Sequence, residues 1–182
     1  MTTGNPDFRL ATPDDATSIQ RLVQSAFRAE DSRQDWTAIT ELNESFRVDV
    51  HEVLAGITKP GSAIILAVND SGNLVGSITV IKGGSNRARL AMLAVDPGHQ
   101  QGGLGRQILT YAEEYCRRVW GATKSGLNAL STRQALISWY KRRGYYDTGE
   151  TSPFPREKFS GLALPADLCF IELEKDLVSS RG

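Results

Sequence analysis

The sequence predicts an α/β (α+β) domain built on a mixed sheet. Three observations predict it. Short apolar runs of strand length alternate with longer segments in which apolar residues recur at helical spacing. The turn signals "NDSGN" and "GGSN" join consecutive strands as hairpins. One run, "LAMLAV" (Leu90–Val95), is apolar on both faces, as expected of a central strand covered on both sides. Strands linked by tight turns and strands linked by helices then belong to one sheet.

Each element follows in order. Phe8–Ala11 reads as a short strand. "TPDD" opens a helix, with Thr12 as N-cap, Pro13 at the first helical position and acids in the first turn. Ile19, Leu22, Val23, Ala26 and Phe27 keep helical spacing. A second helix is expected from about Trp36 to Ile57. "AIILAV" (Ala63–Val68) and "LVGSITVI" (Leu74–Ile81) form a hairpin, and Leu90–Val95 is the next strand, ended by Pro97. A third helix carries the stripe Leu104, Ile108, Ala112, Tyr115 and Val119 and stops at Gly121. Its wet side is expected to carry the i,i+4 pairs Glu113–Arg117 and Glu114–Arg118. "SGLNAL" (Ser125–Leu130) is a strand. "STRQ" is read as a capping box, Ser131 capping and Gln134 reaching back. The helix it opens ends at Gly144, and "GYYDTGE" and "LCFIELE" are two last strands.

The chain has 182 residues, which suits a single domain over 1–182, and 40% of them are hydrophobic. Lys plus Arg and Asp plus Glu each number 21, so net charge is zero, which argues against a general nucleic-acid binder. Cys116 and Cys169 are read as free thiols in a reducing compartment. No metal-ligand spacing occurs, and His51 and His99 lie far apart. The first residues lack the apolar run of a secretory signal, and no stretch approaches the ~20 apolar residues of a membrane span. A soluble, cytoplasmic protein is expected, with no membrane or nucleic-acid partner and a homodimer left open.

"HQQGGLGRQIL" (His99–Leu109) places Gly102, Gly103 and Gly105 where a helix must start. A helix N-terminus presents unpaired N–H groups and partial positive charge, which together attract anions such as phosphate. Glycine removes bulk and permits positive φ, so the backbone can approach the anion. A Walker loop does not fit, because no Gly-Lys-[Ser/Thr] follows. A dinucleotide fingerprint does not fit either, because Ile108 stands where the third glycine belongs.

The spacing Gln100-x-x-Gly103-x-Gly105 resembles the acyl-CoA pyrophosphate loop of the GNAT superfamily of N-acetyltransferases, [Arg/Gln]-x-x-Gly-x-[Gly/Ala]. "MLAVDP" resembles that family's central strand, and "ALISWYKRRGYYDTGE" its second signature, a helix ending in Tyr-x-x-x-Gly-[Phe/Tyr]. The resemblance covers about Ala63–Glu150 as an acetyl-CoA-binding core. It implies a mostly antiparallel sheet of about seven strands flanked by helices, with a splayed central pair that binds acyl-CoA. It implies cofactor contacts from Leu93, Ala94, Val95, Gln100, Gln101, Gly102, Gly103, Leu104, Gly105 and Arg106. Relatives often carry Asn seven residues before the helix tyrosine. Arg133 stands there instead, and either reaches a phosphate or carbonyl or decorates the helix start. From Gly98 to Gly144 there are eight Lys/Arg and two Asp/Glu, against three Arg and seven Asp/Glu from Arg28 to Glu52. A basic half suits a polyphosphate and an acidic half a cationic amine; two solvated faces that happen to differ would look the same.

The resemblance implies direct transfer of acetyl from acetyl-CoA to an amine, with no metal and no covalent enzyme intermediate. Tyr140 matches the tyrosine that relatives use as general acid toward the departing thiolate, and it is weighed against a packed core tyrosine. Backbone N–H groups near Leu93–Val95 are the implied oxyanion donors. No residue stands out as base: Glu30, Asp31 and Glu41 fall in the acceptor-side helical region, and a water chain serves equally. Arg106 is the first choice for a further phosphate contact, with Lys141 and Arg142 behind it. His99 is read as a surface residue, Cys116 and Cys169 as small buried hydrophobes, and Trp120 and Trp139 as packing. Trp36 alone of the tryptophans could line the cleft. The expected activity is N-acetylation of a small-molecule primary amine. The alternatives are a protein or peptide N-acetyltransferase, and a GNAT-fold module that binds acyl-CoA without turnover.

Overall fold

A computed structural model describes residues 4–29, 47–99 and 102–177. Its elements are β1 (Asp7–Leu10), α1 (Ala16–Arg28), α2 (Val50–Thr58), β2 (Ser62–Val68), β3 (Leu74–Lys82), β4 (Arg87–Val95), α3 (Leu104–Trp120), β5 (Lys124–Leu130), α4 (Gln134–Arg142), β6 (Tyr146–Pro153) and β7 (Cys169–Asp176). The strands form one open sheet in the order β1-β2-β3-β4-β5-β7-β6. Every neighbouring pair is antiparallel except β4–β5.

Period-2 alternation sorts the strand residues onto two cores. Ile64 and Leu66 join α1 and α2 on one face, with Ile19, Leu22, Val23 and Val53. Ile65, Ala67, Ile78, Val80 and Leu90 join α3 and α4 on the other, with Ile108, Leu109, Ala112 and Ile137. Helix α3 lies close on β3 because Gly76 has no side chain; a Cβ there would collide with Ile108.

The start of α1 is tied to β1. Thr12 precedes a 3-10 turn at Pro13–Asp15, and the Asp15 carboxylate accepts the Thr12 N–H at 2.8 Å. Arg9 donates to both Asp15 oxygens at 2.8 Å. This guanidinium, aided by the Thr12 N–H, lowers the Asp15 pKa from 3.8 to about 2. A depressed carboxylate contributes stability above its unfolded pKa and loses it as pH falls through the folded one. Asp15→Asn is therefore expected to cost about 1 kcal/mol at pH 7, reduced by solvent screening of the exposed Arg9. Urea melts of the two proteins should converge as pH falls from about 4 to about 2.

Three local expectations are corrected. The helix expected from Trp36 lies partly outside the described residues. Arg47–Asp49 are not helical, because Asp49 N-caps α2 by accepting the His51 N–H at 2.8 Å. Ser131 does not cap α4: its hydroxyl accepts the Cys169 N–H at 3.2 Å, Gln134 donates to the Ser131 carbonyl, and Arg133 takes the N-cap position.

The third correction has the largest energetic consequence. Glu113 faces inward rather than pairing with Arg117. Its carboxylate accepts from the Tyr145 hydroxyl at 2.8 Å and from Lys175 Nζ at 3.0 Å, and Ser125 Oγ stands 2.8 Å from the same tyrosine oxygen. Arg117 pairs with Glu114 instead. A buried charge stripped of its partner is strongly destabilising, while Lys175 lies close enough to water to soften the loss. Lys175→Met is expected to cost about 2 kcal/mol in chemical denaturation. Lys175→Arg should retain most of it.

Candidate active site

Two features of β4 build the site. The first is a break in its pairing with β5. Only Arg87↔Lys124, Ala88↔Ser125 and Arg89↔Gly126 are matched. Beyond them β4 stays with β3 as far as Val95, and β5 stays with β7 as far as Leu130. The two halves of the sheet thus part along one line. Because α3 follows β4 and α4 follows β5, the N-termini of both helices lie toward the open end.

The second is a bulge. Thr79 faces Ala91 and Ser77 faces Ala94, so β4 places Met92 and Leu93 where β3 places Ile78 alone. Met92 adopts φ 56°, a conformation that costs a side-chain-bearing residue energy. The extra residue inverts the alternation. Leu90 packs on the α3/α4 face, but Ala94, four residues on, packs on the α1/α2 face. Strain and inversion fall at the segment Met92–Ala94, on the part of β4 that has left β5.

The turn after β4 opens onto the same end. Asp96 tightens it, accepting the Gly98 N–H at 2.9 Å and approaching His99 Nδ1 at 3.2 Å, so His99 is engaged at the surface. Gln100 and Gln101 lie outside the described residues. Gly103 holds φ 73° at the N-cap of α3, and a Cβ on Gly102 or Gly103 would meet nothing within 4 Å. On Gly105 it would make ordinary contact with Val95 at 3.7 Å and with the Trp139 ring at 3.8 Å. The first helical bond runs from Gln107 N to Gly103 O. The amides of Leu104, Gly105 and Arg106 precede it and have no intrahelical acceptor. Leu104 buries its side chain, so only its backbone serves the turn; Arg106 is exposed. An open mouth, a left-handed entry and three forward amides fit a diphosphate.

Helix α4 supplies the facing wall. Tyr140 is 7% exposed, set edge-on to Trp139 (centroids 5.2 Å) and to Tyr145 (5.7 Å). Burial pushes its phenol up to about 12, and the positive charge of Arg133 opposes the rise. Arg133 is half-buried at the N-cap of α4; Lys141 and Arg142 are exposed. The fold therefore brings together Val95, Gly105, Trp139 and Tyr140. Glu30, Asp31, Trp36 and Glu41 lie outside the described residues. Cys116 and Cys169 are free thiols; burial raises the Cys116 pKa to about 12, and Cys169 is only partly buried.

Sequence reasoning did not place three neighbouring side chains on this wall. Trp139, taken as packing, touches the position of the loop glycine. Tyr145, taken as a strand residue, is buried against Tyr140. Arg143 seats its guanidinium over the Trp139 ring at 4.9 Å. Their signal is the aromatic and cationic density of "WYKRRGYY". Among the described residues, no three His, Cys, Asp or Glu side chains gather as metal ligands, and no helix is long and apolar enough to cross a membrane.

Comparison with known proteins agrees with this geometry. Residues 17–145 match the Acetyltransferase (GNAT) family. The S-alkylcysteine N-acetyltransferase of Bacillus subtilis (strain 168) is 32% identical over 151 residues, 76% of this chain and 77% of that protein. Among solved structures, the ribosomal-protein-S18-alanine N-acetyltransferase from Escherichia coli superposes with TM-score 0.70 at 14% identity, covering 96% of each chain. A Salmonella typhimurium protein solved with its cofactor acetyl-CoA gives 0.66 at 19% identity over 98% of each chain. These last two share the fold; the family match and the Bacillus relative carry the assignment. With its parted central strands and glycine-opened helix, the chain belongs to the GNAT family of acetyltransferases.

Proposed function

We propose that the protein transfers acetyl from acetyl-CoA to the primary amine of a small molecule. The observation that carries this reading is the three-residue pairing of β4 with β5, beyond which the two strands are unpaired toward the Gly103 turn. An extended acyl-pantetheine arm fits between strands that have parted, and its diphosphate fits the amides at the start of α3. Gly102 and Gly103 leave those amides uncovered, and Gly105 is the last fixed glycine of the motif. Arg106 and Arg133 supply positive charge, and Gln100 and Gln101 belong to the same loop by the spacing of the motif.

Acetyl-CoA supplies an activated thioester; the chain supplies placement and charge. Among Leu93, Ala94 and Val95, the amides that β4 turns away from β3 are assigned to the carbonyl oxygen as negative charge builds on it. Tyr140 Oη is assigned to the departing sulfur. A phenol held near 12 keeps its proton throughout the neutral range, so its O–H serves there as a donor. The acceptor amine must reach the cleft unprotonated, although a lysine-like amine has pKa ~10.4. No described carboxylate is assigned as its base.

The Bacillus relative, named for an amino-acid-sized acceptor, supports a small molecule over a polypeptide. Thiol release from acetyl-CoA against a panel of S-alkylated cysteines, other amino acids, polyamines and peptides tests this. Release with one of the small amines is expected. Release only with peptides would overturn the acceptor class. CoA binding without release for any amine would make the chain a binding module.

A further inference from the structure

Arg143 differs from the cations of the neighbouring strands. Arg87, Arg89, Lys124 and Lys175, on the strands beside α4, each reach a carboxylate. Among the described residues, none lies within ion-pair distance of Arg143. Its Nε is buried with no hydrogen-bond partner, and its guanidinium lies over the Trp139 ring, 4.9 Å from the centroid. A guanidinium held over a ring by its face can still present N–H donors along its edge, in the fork that matches a phosphate. Trp139 in turn lies 3.8 Å from where a Cβ on Gly105 would be. One indole therefore separates Arg143 from the first turn of α3. Lys141 and Arg142 precede it, which leaves this helix end strongly cationic.

We infer that Arg143, held on Trp139, binds the 3′-phosphate of CoA and makes the enzyme selective for the 3′-phosphorylated donor. The inference rests on the reading that the diphosphate occupies the amides at the start of α3. CoA carries a second phosphate group on its ribose, a dianionic monoester beyond the reach of those amides. A forked guanidinium one ring away meets that group: apart from its contact with the Trp139 ring, its Nε has no hydrogen-bond partner and no described carboxylate neutralises it. Exposed lysines could add attraction at long range, but a guanidinium of fixed orientation adds discrimination.

The test is equilibrium binding of CoA and of 3′-dephospho-CoA, measured by calorimetry on the wild-type chain, Arg143→Gln and Arg143→Lys. Wild type is expected to bind CoA about 10- to 100-fold more tightly than dephospho-CoA, the range of one charge-assisted contact. Arg143→Gln should erase that preference while its affinity for dephospho-CoA stays at the wild-type value. Arg143→Lys should restore part of it, since charge returns without the fork. Equal loss of affinity for both ligands in Arg143→Gln would overturn the inference, as would a preference that survives the substitution. Should wild type bind both ligands equally, Arg143 has no such role and the donor reading stands. Should wild type bind neither, the donor reading itself fails.

Discussion

Replacing Tyr140 with phenylalanine is expected to lower kcat by about 100- to 1000-fold, the magnitude seen when one donor is removed from a developing anion. Affinity for acetyl-CoA should change by less than about threefold, because the ring and its contacts with Trp139 and Tyr145 remain. The split separates the assigned role from packing: a core residue losing one oxygen alters stability and leaves kcat nearly intact. The pH profile adds a second readout. Burial raises the folded pKa above the ordinary 10.0, so the O–H persists until pH approaches about 12. Wild-type kcat should therefore rise as the acceptor amine deprotonates and show no decline up to about pH 10. A falling limb centred near 10 would mean that the phenol ionises as in water, and the assignment to Tyr140 would fail.

The second large effect is expected at Gly103. Valine there takes φ 73°, where a β-branched residue is strained, and its side chain enters the space from which the forward amides are reached. Dissociation constants for acetyl-CoA should rise by about 100-fold, equivalent to about 2.7 kcal/mol. Gly105→Ala is the internal comparison. Gly105 lies within the helix, and its added methyl would make only van der Waals contact with Val95 and Trp139. That change should leave affinity within a few-fold and stabilise α3 by about 0.5–1 kcal/mol. Fluorescence titration of Trp139, beside the loop, reads both variants. Equal losses for both would point to general disruption rather than to blocked amides.

Most of the architecture was legible because it is written in local periodicity. Short apolar runs bounded by turn signals gave the strands, the 3.6-residue stripe gave α1 and α3, and Gly121 at φ 65° ends α3 where the sequence places its stop. What escaped detection depends on distant partners. Glu113 has the right spacing for a surface pair with Arg117, and nothing near it in sequence announces Tyr145 or Lys175, 62 residues away. The capping box at Ser131 failed for the same reason, since the backbone of Cys169 competes for its hydroxyl. The bulge was hidden because Met92, an ordinary apolar residue, occupies a backbone conformation that a sequence advertises only when glycine is present. At the candidate site, the glycine turn could be read from its spacing, and Tyr140 was singled out only by resemblance to the family's second signature. The approach of Trp139 to Gly105 could not, because it joins two helices that are distant in sequence.

The central claim is that main-chain amides at the start of α3 hold the diphosphate of the donor. Titration of CoA into the 15N-labelled protein, followed amide by amide, tests it most directly. The largest shifts should fall on Gly102 to Arg106. The largest shifts falling on α1 and α2, or an unchanged spectrum at millimolar CoA, would contradict it.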